Sequence, residues 1–68
     1  MTNLKAQEMS NSIFGLYVYL TRLAPNKFGG WFYTDIVDYL INDVAKIEWN
    51  VEIAKLAKEK IQRYDEQN

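Results

Sequence analysis

The only proline of the chain and its only pair of adjacent glycines fall within residues 25 to 30, in the stretch APNKFGGWFYTD. Proline locks φ and removes a backbone donor, and glycine adopts angles that other residues avoid. This stretch is therefore the strongest break in the sequence. On either side of it apolar residues recur every three or four positions, the spacing of one helical face. The break separates helices, and the expected fold class is all-α.

Before the break, Met9, Ile13, Leu16, Tyr17, Leu20 and Leu23 form a stripe on a helix over roughly residues 4–24. Asn3 or Ser10 can cap its start. Pro25 disfavours helical angles at Ala24 and ends it. Gly15 costs this helix stability relative to alanine, so a close approach of another helix is expected there. After the break, Thr34 is the expected N-cap of a helix over residues 34–48, with Asp35 in its first turn suiting the helix dipole. Tyr33, Ile36, Val37, Leu40, Val44 and Ile47 form its apolar stripe, with Asp35, Asp38 and Asn42 opposite.

From Asn50 onward the stripe passes to Ile53, Ala57, Ile61 and Tyr64. At 100° per residue this face points roughly 120° away from the one before it. One straight helix cannot bury both against the same neighbour. The pattern predicts a break near Trp49-Asn50, with Asn50 capping a third helix over residues 50–65; one long helix meeting different neighbours is the alternative. The tail RYDEQN is expected to fray.

A chain of 68 residues makes a single domain, residues 1–68, and the expected architecture is a small three-helix bundle. The core of so small a bundle rarely supplies more than about 3–5 kcal/mol. The chain has no cysteine for a disulfide and no histidine, the commonest transition-metal ligand and general base. Homodimerisation is the remaining way to complete the fold. With 49% hydrophobic residues and ten aromatics, the composition is that of a folded chain. The longest apolar run, IFGLYVYL, has eight residues, against the about 20 that span a bilayer. The start lacks the basic leader and cleavage site of a signal peptide, so a cytoplasmic protein is expected.

Enzymatic chemistry finds little purchase. Nucleophilic triads need an activating base, usually histidine. Asp35 and Asp38 are three apart on one helical face, but a solvated face has the same pattern. Asp35, Asp38 and Asp43 do not follow the alternation of a calcium loop, and Gly29-Gly30 belongs to no phosphate-cradling motif. No enzyme, cofactor or metal is expected. Membrane association would need lysine or arginine along a polar helical face, and the first helix offers Lys5 and Arg22 only.

Nucleic acid is the second class considered. Lys55, Lys58, Lys60 and Arg63 give the third helix basic character, interrupted by Glu52 and Glu59. A small dimeric nucleic-acid-binding regulator that pools two such faces is the alternative reading. The net charge of −1 leaves no general basic footprint, and i,i+4 pairs such as Glu59 with Arg63 account for the pattern without a ligand. An acidic second helix that mimics nucleic acid is a side reading, as is a structural subunit whose fold is completed only in an assembly.

The aromatic surplus is the strongest signal. Phe14 and Tyr19 lie off the first stripe, Tyr39 sits on the polar side of the second helix, Trp31 and Phe32 lie in the loop, and Trp49 stands at the second break. That is more ring surface than one three-helix core easily buries, and exposed aromatics anchor interfaces at low entropic cost. Core capping by the loop rings is the competing explanation. Glycines 29 and 30 let the chain turn sharply, which predicts a mostly buried Trp31 with Phe32 and Tyr33 nearer the surface. The function this favours is a non-catalytic protein-binding module or inhibitor acting on a larger protein, of the kind phages and mobile elements encode. Phe14, Tyr19, Trp31, Phe32, Tyr39 and Trp49 would make the contact.

Overall fold

Two asparagine side chains decide where the outer helices begin. In the computed structural model, which describes residues 3–67, Asn3 Oδ1 accepts the Ala6 N–H at 3.1 Å and opens α1 (Leu4–Leu23). Asn50 Oδ1 accepts the N–H groups of Glu52 and Ile53 at 2.9 and 3.1 Å and opens α3 (Val51–Gln67). Each satisfies donors that a helix start leaves unpaired, a contribution of about 1 kcal/mol. Ser10, the other candidate cap of α1, is instead buried within it, its hydroxyl donating to the Gln7 carbonyl at 2.8 Å.

Between them lies α2 (Tyr33–Tyr39), which continues without interruption into wider π-helical turns over Leu40–Ala45. Thr34 does not cap this helix: Phe32 holds the N-cap position and offers no side-chain acceptor, and Thr34 falls inside the first turn. The far end also differs from expectation, closing at Ala45 rather than near residue 48. Lys46 adopts the left-handed conformation, with φ 55° and ψ 46°. The Ile41 carbonyl then accepts the N–H groups of both Lys46 and Ile47, the latter at 3.1 Å. A left-handed residue cannot continue a right-handed helix, and this closes it. The second and third apolar stripes therefore sit on separate helices.

α1 and α3 run parallel. Asn3 Nδ2 donates to the Glu52 carboxylate at 3.4 Å near one end, and the Tyr17 hydroxyl donates to Asp65 at 2.9 Å towards the other. α2 runs against them, bringing Tyr33 to Asp65. The core takes Ala6, Ile13 and Tyr17 from α1, Ile36, Val37, Leu40 and Ile41 from the second helix, and Ile53, Ala57 and Ile61 from α3. The expected stripes of α2 and α3 supply most of this set. On α1 the buried face is shifted, taking in Ala6 and Ser10 and leaving Leu23 exposed. Ile41, in the π-helical turns, is buried beside Leu40 just as Val37 is buried beside Ile36. The radius of gyration, 11.3 Å, matches the about 11 Å of a compact chain of this length. The architecture is an all-α three-helix bundle, and no described residue lies in a strand.

Three further expectations are overturned. Gly15 lies exposed on α1, and a Cβ there would meet nothing within 4 Å, so no helix approaches it. The loop between α1 and α2 winds through successive tight turns, with Lys27 N–H bonded to the Ala24 carbonyl, Gly29 to Asn26 and Trp31 to Phe28. This carries Phe28 into the core at 7% exposure and leaves Trp31 at 42%. Gly30, at φ 84°, holds the one position of this loop that demands glycine. Finally, the described part of the tail is regular helix, α3 continuing through Gln67 with Asp65 bonded to Tyr17 and Tyr33; Asn68 lies outside the described residues.

Candidate protein-interaction surface

The buried face of α2, centred on Ile36, Val37 and Leu40, leaves Asp35 pointing outward with Asp38 and Tyr39 on either flank, about 100° apart around the axis. Each flank carries a tryptophan. On one, Trp49 from the α2–α3 connection donates its indole N–H to Asp38 Oδ1 at 2.9 Å. On the other, the Trp31 ring meets Tyr39 edge-on at 5.5 Å and Phe28 at 5.3 Å, closing a triangle of rings with the 5.9 Å Phe28–Tyr39 contact. Lys27 Nζ lies 5.2 Å from the Tyr39 ring centre, a cation–π contact. Both tryptophans are thus held in place while keeping 42% and 48% of their surface in water. Phe32, at the N-cap of α2, is 77% exposed and adds an apolar side chain at the same end as Trp31.

The six aromatics singled out in the sequence do not form one cluster. Trp31 and Tyr39 are in contact, and Trp49 stands on the neighbouring flank. Phe14 lies elsewhere, half-buried against Tyr64 with ring centres 5.6 Å apart between α1 and α3. Tyr19 is exposed on α1 and makes no ring contact with the others. Tyr39, which the sequence places on a polar side, is half-buried because the loop folds Phe28 and Trp31 over it.

The basic residues of α3 do not share a face either. Lys58 and Lys60 are two positions apart and so point about 160° away from each other. Glu52 and Glu59 sit on the exposed surface between them, and Glu59 and Arg63 do not close an ion pair. Lys55 and Lys58, three positions apart, line a cleft of about 370 Å³ between α2 and α3 with Val37, Trp49, Val51 and Ala54, whereas Lys60 and Arg63, equally spaced, do not line it. On the other side of Trp49 a second groove of about 390 Å³ runs between the starts of α1 and α3, lined by Met9, Ile47 and Ile53. Trp49 forms the ridge between the two hollows.

Deeper in the fold, the Asp65 carboxylate accepts hydrogen bonds from Tyr17 and Tyr33. Burial, and then this bond and the nearby negative charge, push the Tyr17 hydroxyl well above the usual tyrosine range. The bond to Asp65 is the leading cause of a rise at Tyr33. Both hydroxyls act as donors that staple three helices.

Among the described residues no group of three or more acidic side chains is arranged to hold a metal ion, and no helix is long and apolar enough to cross a membrane. No protein-family model, curated protein or solved structure matches this chain.

Proposed function

We propose that this chain is a non-catalytic protein-binding module, a regulator or inhibitor that works in the cytoplasm by covering part of the surface of a larger protein. The contact is made by the outward side of α2 and its two flanking tryptophans, with Phe32 at the edge. One observation carries the reading: Trp31 and Trp49 are each oriented by a specific partner, Tyr39 and Asp38, yet nearly half of each remains in water. Immobilised, half-exposed tryptophans suit binding because little rotamer freedom remains to be lost when a partner covers them. The acidic ridge of Asp35 between them would set orientation more than affinity.

The test is a tagged pull-down from a host lysate with and without nuclease, run in parallel on the wild type and on Trp31→Ala and Trp49→Ala. A stoichiometric protein that survives nuclease and is lost with either variant, while helicity is retained, supports the reading. Recovery of the chain alone, or loss of everything on nuclease treatment, sinks it in favour of a self-contained oligomer or the nucleic-acid alternative.

A further inference from the structure

The cleft between α2 and α3 has an apolar interior and a basic edge. Val37 and Ala54 line it from the facing helices, Trp49 and Val51 add apolar wall, and Lys55 and Lys58 stand along its α3 side. Its volume of about 370 Å³ lies at the small end of the roughly 300–1,000 Å³ of sites that seat a ligand.

The charges around it are unequal. The carboxylate lining the cleft, Asp38, already accepts the Trp49 indole N–H. The two ammonium groups have no ion-pair partner within 4 Å among the described residues. For Lys58 the helix itself supplies none. Its neighbours three and four positions away are Lys55, Ala54, Ile61 and Gln62. Lys55 can reach Glu52 or Glu59 by the same spacing, so Lys58 is the more dependent on an outside anion. Two like charges three residues apart on a helix repel each other, and an incoming carboxylate relieves that repulsion.

Resting on the protein-binding reading above, we infer that this cleft takes an acidic amphipathic segment of the partner. One of its apolar side chains enters between Trp49, Val51 and Ala54, over the buried Val37, and Asp or Glu residues beside it meet Lys55 and Lys58. Insertion of an apolar anchor into a groove supplies the affinity, and the paired rim charges select which segment is accepted. The second lysine matters because a single exposed ion pair discriminates weakly, whereas two at fixed spacing demand a matching pair of acids.

The experiment is selection of a random dodecapeptide display library on the intact chain. The enriched peptides are then titrated by tryptophan fluorescence against the wild type, Lys55→Glu/Lys58→Glu, Trp49→Ala and Trp31→Ala. Enriched sequences should carry an apolar residue within four positions of two Asp or Glu. Their affinity should fall about tenfold or more in the double charge reversal, and should weaken as salt rises. The reversed variant should instead enrich peptides with Lys or Arg beside the apolar residue. Circular dichroism melting of each variant separates these effects from unfolding. Peptides that bind through Trp31 and Trp49 but ignore the charge reversal would overturn the acidic-segment inference and leave the protein-binding reading standing. Peptides insensitive to all three variants, or no enrichment at all, would overturn both. Sedimentation of the chain as a dimer whose assembly protects Trp49 from a quencher would assign the cleft to a second copy and overturn the inference as well.

Discussion

The Tyr33 hydroxyl donates to the Asp65 carboxylate at 2.7 Å, joining the first residue of α2 to the last turns of α3. Tyr17 of α1 donates to both oxygens of the same carboxylate, at 2.9 and 3.0 Å. One acidic side chain thereby ties all three helices. Hydrogen bonds to a charged acceptor contribute more than neutral ones, so Tyr17→Phe should cost about 1.5–3 kcal/mol, with Tyr33→Phe, less buried, costing less.

The same node sets a pH dependence. Both tyrosines have pKa values raised above the ordinary one near 10. Below about pH 10 the hydroxyls are protonated in the folded and the unfolded chain alike, and the contribution is fully present. As pH rises further the unfolded chain loses these protons first, so stability falls until the folded hydroxyls ionise too. Urea midpoints should decline between about pH 10 and 12, and less steeply in Tyr17→Phe. Parallel declines in the wild type and that variant would mean that the buried hydroxyl is not responsible.

Gly15→Ala should raise stability by roughly 0.5–1 kcal/mol, because the site is exposed, helical and empty around the missing Cβ. Thermal denaturation reads the gain directly. A loss would reveal a neighbour at this face of α1.

In the loop, Phe28→Ala should be the costly substitution and Trp31→Ala the mild one. Phe28 is buried and stacks on Tyr17 at 5.7 Å as well as meeting Trp31 and Tyr39. Removing such a ring costs about 3–5 kcal/mol, a large share of what so small a bundle has. Equal effects of the two substitutions on the urea midpoint would return Trp31 to the core.

Asn50→Ala should destabilise the fold by about 0.5–2 kcal/mol through the lost cap of α3. Thr34→Ala should change little, since Thr34 is exposed and caps nothing. Chemical denaturation of the two variants side by side decides the point.

Features governed by near neighbours were legible in the sequence. The cap at Asn50, the end of α1 before Pro25 and the inward faces of α2 and α3 all follow from residues within a turn or two. Features set by distant partners were not. Nothing in RYDEQN announces that Asp65 meets Tyr17 across 48 positions, so the tail read as frayed. Near the glycines the sequence offered Trp31 as the inward ring. The series of turns that brings Phe28 in depends on backbone torsions that composition does not reveal. For the candidate surface, Trp49 stood out because it lies at the change of stripe. Its anchor Asp38, eleven positions earlier, and the cleft beside it exist only once α2 and α3 lie side by side.

The Asp65 staple also orders events in time. During synthesis from the N-terminus, α1 and the aromatic loop are made long before the carboxylate that secures them, since Tyr17 waits for a partner 48 residues downstream. The loop that the Tyr17–Asp65 bond closes spans most of the described chain. A chain ending before residue 65 would keep the core through Ile61 and the ring contacts of the loop, but would leave the Tyr17 and Tyr33 hydroxyls without their shared acceptor.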